Sequence, residues 1–314
     1  MAELLVLSQD EVRALLDRDA LFDALRTAFR ALSSGTASVP PRGAAVTEHG
    51  LLAAMPGYVP GQGLAAKLVA YFRENESLGV PAHQALVTVH DPRTGTPLAV
   101  MDGTHLTAVR TATSAAVAAV ALARPGARTL AVLGAGVQGA SHLDAFLRGL
   151  PDLDDVRVAS RTRVNAEAAA AQHPAARVVD GFEDAVRGAD VVALCTDADQ
   201  PVALQGWLSP GVHVSSVGSG HEVDPATVEV AAVFVESRAV ATSPFPAGSR
   251  ELGGRDPQSV TEVGEVLLGT RPGRTDQQQT TLYKSMGHAV EDVAAATLVY
   301  EAAVRTGAGT RLPW

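Results

Sequence analysis

A glycine-rich turn between an apolar run and a helical segment constrains this fold more than any other feature of the chain. The stretch TLAVLGAGVQGASHL (129–143) starts as a strand, passes through a G-x-G-x-x-G turn and continues with helix-forming residues. In a βαβ unit, such a turn brings backbone amides and the positive end of the helix to the pyrophosphate of a dinucleotide. We therefore predict dinucleotide binding at five residues of this turn: Gly134, Gly136, Val137, Gln138 and Gly139.

The chain beyond the turn alternates strands and helices. Val-rich apolar runs recur as TLAVLG, DVRVAS, ADVVALCT, GVHVSSVGS and AAVFVES, with helical segments between them. This alternation predicts an α/β fold with a Rossmann-type parallel sheet over residues 113–289. Residues 1–112 show one amphipathic helix from a capping box at Ser8 almost to Gly35, then short strands with a hairpin at DPRTG. Together with the Ala-rich last helix (290–314), they are expected to form an α+β domain.

Composition and charge argue against several kinds of partner. The net charge is −9 and both signs are interspersed along the chain, so we expect neither nucleic acid nor a membrane surface as a partner. The single cysteine, Cys195, cannot close an intrachain disulfide and lies at the end of an apolar strand. No His, Cys or carboxylate groups have metal-ligand spacing, so we predict no metal. The N-terminus lacks a secretory pattern and the run SAAVAAVALA is too short to span a bilayer, so a cytoplasmic protein is expected.

The residues after the second strand of the parallel sheet favour NADPH over NADH. An NAD site usually places an acidic residue there, where it binds the ribose hydroxyls. This chain has Ser160, Arg161 and Thr162 instead. Their donors and positive charge suit a 2′-phosphate. The alternative is that Arg161 is only a solvent-exposed residue at the start of a helix, in which case NADH is possible.

Three cations in the first domain lie among apolar or glycine-rich neighbours: Arg42, Lys67 and Arg110. Residue alternation along GLAAKLVAYF places apolar side chains on both faces of the strand around Lys67. A buried lysine needs an anionic partner or a functional reason. The alternatives are an ammonium group that reaches solvent past the strand end and, for Arg110, an ordinary ion pair within the protein. We favour a site that binds a carboxylate.

Three segments together resemble the ornithine cyclodeaminase and mu-crystallin superfamily. They occur in order over nearly the whole chain: GLAAKLVAYFRENESLGVPAHQALVTVHDPRTGTPLAVMDGTHLTAVRTATSAA, LGAGVQG and TLYKSMGHAVEDVAAA. The resemblance implies a homodimer in which residues 1–112 with 290–314 bind substrate and dimerise, while residues 113–289 bind NAD(P). It assigns the substrate to Arg42, Met55, Lys67 and Arg110, with Lys67 and Arg110 at the reacting centre. It adds five cofactor-binding residues to those already named: Thr196, Val217, Gly218, Ser219 and Ser285.

One loop departs from the family pattern. After the V-G pair, members that cyclodeaminate carry a longer loop that begins with an acidic residue and resembles D-x-P-G-K. Here Val217-Gly218 runs through Ser219-Gly220 directly into His221-Glu222, without that acid. Ala53 also stands where the cyclodeaminases carry a glutamate, and the SRT turn resembles that of the NADPH-dependent reductases. Because deamination needs an acid/base group, the pattern favours reduction over ammonia elimination.

These observations predict an NADPH-dependent reductase of an imine that carries an α-carboxylate. The expected substrate is a cyclic ketimine, Δ1-pyrroline-2-carboxylate or Δ1-piperideine-2-carboxylate, reduced to proline or pipecolate. Arg42 and Arg110 would clamp the carboxylate and position C2 for hydride transfer, with Lys67 beside the imine. The proton donor stays open, with His221 and water as weaker candidates. The alternatives are an ornithine or lysine cyclodeaminase with bound NAD, an amino-acid dehydrogenase, and a ligand-binding protein of the mu-crystallin type.

Overall fold

The computed structural model describes residues 3–218, 220–243 and 248–314. In chain order, the strands are β1 (Glu3–Leu7), β2 (Gly43–Val46), β3 (Leu51–Val59), β4 (Gly63–Tyr71), β5 (His83–His90), β6 (Pro97–Asp102), β7 (Thr129–Leu133), β8 (Asp155–Ala159), β9 (Ala176–Val178), β10 (Val191–Leu194), β11 (His213–Ser216), β12 (Ala232–Val235), β13 (Thr261–Glu262), β14 (Thr281–Lys284) and β15 (Thr310–Pro313). The α-helices are α1 (Gln9–Leu15), α2 (Arg18–Ser33), α3 (Thr104–Leu122), α4 (Val137–Gly149), α5 (Arg163–Ala170), α6 (Phe182–Val186), α7 (Pro225–Val230), α8 (Arg238–Ala241), α9 (Val263–Leu268) and α10 (Ala289–Thr306).

The chain divides into two compact units, Met1–Arg110 with His288–Trp314 and Thr111–Gly287. The first unit contains a seven-stranded sheet in the order β15-β1-β6-β5-β4-β3-β2, in which β1 and β6 run parallel and the other neighbours antiparallel. Helix α10 packs on β3, β4 and β5 and also contacts α2. The last helix of the chain therefore covers the middle strands of this sheet.

The single N-terminal helix predicted from the sequence is two helices in the structure. Ser8 and Glu11 form the expected capping box at the start of α1. The helix ends at Leu15, however, because the Asp17 side chain accepts hydrogen bonds from the amides of Asp19 and Ala20 and starts a second helix. An aspartate in this position caps a new helix in preference to continuing the old one.

The second unit is built on an eight-stranded sheet in the order β13-β12-β14-β11-β10-β7-β8-β9, with all neighbours parallel. The chain moves outward from β7 through β8 to β9, then returns to β10 on the other side of β7. This reversal is the switch point at which Rossmann-type sheets bind dinucleotides. The predicted combination of a Rossmann-type sheet with an α+β unit is confirmed. Strand β14, which the sequence did not predict, lies between β11 and β12.

Helix α3 contains most of the run SAAVAAVALA, which was expected to be too short to span a bilayer, and extends ten residues before it. Its 19 residues reach the length and hydropathy of a membrane span, and it is the one such helix among the described residues. However, 78% of its most apolar window is buried inside the protein. Burial of this kind is what a core helix shows, so the length of α3 is weak evidence for a membrane.

Candidate functional site

The predicted cofactor residues of the second unit follow successive parallel strands. Because the carboxyl ends of parallel strands meet at one edge of a sheet, the loops that follow them lie together. Ser219 is outside the described residues. The others lie after β7 (Gly134, Gly136, Val137, Gln138, Gly139), after β8 (Ser160, Arg161, Thr162), after β10 (Thr196), after β11 (Val217, Gly218) and after β14 (Ser285).

The glycine turn has the backbone geometry that its spacing predicted. Gly134 has φ +93°, and a Cβ there would lie 2.5 Å from the carbonyl oxygen of Cys195. A Cβ on Gly139 would lie 1.9 Å from the carbonyl oxygen of Gly134, so neither position accepts a side chain. Gly136 is extended and caps α4 without a side-chain hydrogen bond. As in any α-helix, the first amides of α4, including those of Val137 and Gln138, have no carbonyl acceptor within the helix. They can therefore bind an anion.

The turn after β8 contains two arginines in different environments. Arg163 donates to Glu167 at 2.9 Å and to Asp180 at 2.6 Å. Arg161 is exposed, and no ion pair or hydrogen bond to its side chain is found among the described residues. The amide of Thr162 donates to the Ser160 hydroxyl at 3.3 Å. Arg161 is therefore the cation of this turn that a phosphate group could engage.

Glu222, for which the sequence predicted no role, connects two of the loops at this edge. One of its carboxylate oxygens accepts from the amide and hydroxyl of Thr196, at 2.6 and 2.9 Å. The other accepts from the Ser216 hydroxyl and the Gly218 amide, both at 2.7 Å. Glu222 is fully buried. With four donors on it, the carboxylate joins the loop after β10 to the loop after β11.

Ser285 lies at the same edge, but its hydroxyl points into the protein. It is buried and donates to Glu236, which also accepts from the amide of Gly287 at 3.1 Å. In this arrangement the segment after β14 is held by an internal carboxylate.

In the first unit, Lys67 and Arg110 meet two carboxylates of α10. The Lys67 ammonium nitrogen lies 2.9 Å from Asp292 Oδ1, and Arg110 Nε donates to the same oxygen at 2.9 Å. Arg110 Nη1 donates to Glu291 Oε2 at 2.8 Å. All four residues are buried, so these are not surface ion pairs. We call Lys67, Arg110, Glu291 and Asp292 the charge cluster.

The structure resolves both alternatives raised for these cations. Lys67 is 1% exposed, so its ammonium group does not reach solvent. Arg110 does form ion pairs within the protein, with Glu291 and Asp292. These two acids could not be recognised from the sequence, because acidic residues in the first turn of a helix ordinarily complement the helix dipole. Glu291 also has that ordinary role, since it accepts from the amide of His288 at 2.8 Å.

Burial makes the ammonium group of Lys67 less basic. Removal from water and the nearby charge of Arg110 both lower its pKa, while Asp292 and Glu291 raise it, and the result is a pKa of about 8. The charged form of Lys67 therefore depends on the two carboxylates.

Met55 pairs with Lys67 in the sheet, and Arg42 immediately precedes the neighbouring strand β2. Met55 is buried and stands directly opposite Lys67 in the register of β3 and β4. Arg42 immediately precedes Gly43, which pairs with Ala54, so the backbone of Arg42 adjoins β3 beside Met55. The sequence places apolar residues on both faces of β4, but within a single chain only one of these faces is fully covered. The face of Lys67 lies under α10, whereas Leu68 on the other face is 39% exposed.

Other chemistry has little support in the described residues. Among them, no group of three or more His, Cys, Asp or Glu side chains could hold a metal ion. Burial and the neighbouring Glu222 carboxylate raise the pKa of the Cys195 thiol well above its ordinary value. A thiol in such surroundings is a poor nucleophile.

Comparisons with known proteins identify the family to which this chain is similar. The family model of the ornithine cyclodeaminase/mu-crystallin family matches residues 2–307. Ketimine reductase mu-crystallin of Mus musculus is 39% identical over 263 residues, which are 82% of this chain and 82% of the mouse protein.

Two solved structures are similar over nearly the whole chain. The Δ1-pyrroline-2-carboxylate reductase of Thermococcus litoralis, in complex with NADH and L-proline, is 30% identical with a TM-score of 0.91, covering 98% of this chain and all of the other. An archaeal alanine dehydrogenase dimer with bound NAD is 30% identical with a TM-score of 0.93, covering 99% of each chain. On this evidence, the chain belongs to the ornithine cyclodeaminase/mu-crystallin family.

Proposed function

We propose that this protein is an NADPH-dependent reductase of a cyclic ketimine that carries a carboxylate. Δ1-pyrroline-2-carboxylate and Δ1-piperideine-2-carboxylate are the substrates that fit best, with proline and pipecolate as products. The observation that carries the proposal is the buried pair of cations, Lys67 and Arg110, in a family whose relatives include a ketimine reductase and a pyrroline-carboxylate reductase. We assign substrate binding and dimerisation to the unit Met1–Arg110 with His288–Trp314, and cofactor binding to the unit Thr111–Gly287.

The second unit fits a dinucleotide. The compact glycine turn leaves the amides of Val137 and Gln138 at the positive end of α4 for a pyrophosphate, and Gly136 has open space where a side chain would stand. Arg161 offers an exposed guanidinium to a 2′-phosphate. When bound, NADPH supplies the hydride that reduces the C=N bond.

The first unit fits a carboxylate. An ammonium group has three N–H donors, and among the described residues Lys67 uses one of them, on Asp292. The other two can bind the carboxylate of the substrate, with the guanidinium groups of Arg110 and Arg42 completing the clamp. Lys67 also holds positive charge and a proton next to the reacting centre.

Glu222 does not replace the acid that the shortened loop lacks. It is fully buried and each of its oxygens already accepts two hydrogen bonds. A carboxylate engaged in this way holds loops together and is not placed to exchange protons with a substrate. This observation favours reduction over cyclodeamination.

The test is a comparison of substrates with purified protein, in which NADPH oxidation is followed by absorbance and ammonia release by a separate assay. We expect oxidation with one or both ketimines, and no ammonia from ornithine or lysine in the absence of added cofactor. Ammonia release without NADPH oxidation would instead establish a cyclodeaminase. Oxidation only with a keto acid plus ammonia would establish an amino-acid dehydrogenase.

Arg161→Asp should reverse the choice of cofactor. The substitution removes the cation and places a carboxylate next to the 2′-phosphate, so we expect kcat/KM for NADPH to fall roughly 100-fold while that for NADH changes little. Arg163→Asp is the matched control, because Arg163 is already paired with Glu167 and Asp180. Equal loss in both variants would mean that general charge near the turn, and not Arg161, determines selectivity.

We also propose that a second copy of the chain covers the exposed face of the first sheet. Leu52, Leu68 and Leu86 are 47%, 39% and 44% exposed, and the strand register places all three on the face opposite that of Lys67. Leu68 and Leu86 are direct partners in the β4–β5 register. Leu52, on β3, is the diagonal neighbour of Leu68 on β4. An apolar patch of this kind is typical of protein interfaces. The archaeal alanine dehydrogenase relative is a dimer.

A further inference from the structure

This chain has only two lysines, and both are buried. Of the 25 lysine and arginine residues, only Lys67 and Lys284 are lysines, and each is 1% exposed. Lys67 belongs to the charge cluster. Lys284 is the last residue of β14 in the other unit and does not belong to the proposed substrate site.

The surroundings of Lys284 explain why this position holds a lysine. Its ammonium nitrogen donates to the Ser216 hydroxyl at 2.9 Å and to the Gly218 carbonyl at 2.8 Å, and it lies 3.0 Å from Glu251 Oε2. Glu251 Oε1 also lies 3.1 Å away, so three acceptor residues surround the nitrogen and match the three N–H donors of an ammonium group. The planar fork of a guanidinium cannot reproduce this arrangement.

The acceptors of Lys284 belong to a larger network. Ser216 donates its hydroxyl hydrogen to Glu222, which also holds Thr196 and the amide of Gly218. Glu251 accepts from the amide of Glu222 at 3.0 Å. We call Ser216, Glu222, Glu251 and Lys284 the buried hub. It connects the ends of β10, β11 and β14, and the proposed cofactor residues Thr196, Val217, Gly218 and Ser285 lie in the loops that follow them.

The charges of the hub depend on one another. Burial acts to raise the pKa of the Glu251 carboxyl, but Lys284 and hydrogen bonds from Ser249, Lys284 and the Glu222 amide together hold that pKa below its ordinary value. The hub holds two buried carboxylates and one buried ammonium. Loss of Lys284 would therefore leave negative charge without its cation and free two loops at once.

We propose that Lys284 is a positioning residue that shapes the loops after β10 and β11 to bind the nicotinamide half of the cofactor. The inference rests on the proposed binding of NADPH. In a Rossmann-type sheet the two halves of a dinucleotide bind on either side of the switch point, and the ribose-binding position after the second strand belongs to the adenosine half. The turn after β8 corresponds to that position. The hub lies on the other side of β7, where the nicotinamide half binds.

The test compares NADPH with a ligand that represents only its adenosine half, adenosine 2′,5′-bisphosphate. Dissociation constants are measured by calorimetry for the wild type, Lys284→Met and Lys284→Arg. We expect both variants to bind NADPH roughly 10- to 100-fold more weakly and the bisphosphate within about twofold of the wild type. If Lys284→Met does not fold, the double variant Lys284→Met with Glu251→Gln, which removes the cation together with its partner charge, takes its place.

The outcomes separate three cases. Selective weakening of NADPH binding supports the inference. Unchanged NADPH affinity in a folded variant, or equal weakening of both ligands, overturns it, because the hub would then stabilise the unit without shaping the nicotinamide side. Failure of the wild type to bind NADPH would contradict the proposed function instead, and that result is visible before any variant is made.

Discussion

Replacing Lys67 with methionine is expected to lower kcat/KM for the ketimine by about 1,000-fold. Methionine fills the space between Met55 and Val87 in the register of the sheet but removes the donors and the charge that the substrate carboxylate needs. Removal of one preorganised donor of this kind lowers turnover about 10²- to 10³-fold. Steady-state kinetics with Δ1-pyrroline-2-carboxylate and NADPH measure the effect.

Two controls separate chemistry from folding in this experiment. Asp292 retains Arg110 as its partner in the Lys67→Met variant, so the carboxylate is not left without a cation. NADPH affinity, which we assign to the other unit, should stay within about twofold of the wild type. A variant that binds NADPH normally and still keeps most of its activity would return Lys67 to a structural role.

Asp292→Asn is expected to lower kcat/KM by about 100-fold near pH 8 and by less at pH 6. One oxygen of Asp292 holds both Lys67 and Arg110, so the amide loses the anchor that places the two cations together. A displacement of about 1 Å at a reacting centre costs roughly 100-fold in rate. The pH dependence is expected because the negative charge of Asp292 raises the pKa of Lys67.

The direction of the pH effect follows from the state of Lys67. Below its pKa of about 8 the ammonium is charged and binds a carboxylate, and above that pH it is neutral. The wild-type kcat/KM should therefore fall as the pH rises through about 8. Asp292 raises this pKa, so its removal should move the falling limb to lower pH.

Glu291→Gln is the matched variant for this experiment. Glu291 pairs with Arg110 and not with Lys67, and among the groups that shift the pKa of Lys67 its effect is the smallest. We expect a higher KM with a pH profile close to that of the wild type. An unchanged pH profile in Asp292→Asn as well would show that Asp292 does not control the protonation of Lys67.

Features carried by contiguous residues were predictable. The glycine turn, its preceding strand and its following helix lie within residues 129–143, so the motif and its context could be assessed together. The burial of Lys67 was also predictable, because strand alternation places its neighbours on known faces. Its partners were not, since Asp292 is 225 positions away and resembles an ordinary residue of a helix N-terminus.

One strand and one set of long-range contacts could not be predicted from the sequence. Strand β14, TLYK, lacks the Val-rich apolar run by which the other four-residue strands β10, β11 and β12 were recognised, yet it lies in the middle of the parallel sheet and ends at Lys284. The role of Glu222 was also missed, because its four donors come from Thr196 in the loop after β10, from Ser216 at the end of β11 and from Gly218 in the loop after β11.

The sequence by itself determined the α/β class, the site of the glycine turn and the burial of Lys67, because these depend on local spacing and on side-chain alternation. Only the tertiary structure decided which acids neutralise Lys67 and Arg110 and which loops Lys284 and Glu222 hold together. The physical reason is that a buried charge is stabilised by whatever groups the fold brings within hydrogen-bond distance. In both units those groups come from elements that are distant along the chain.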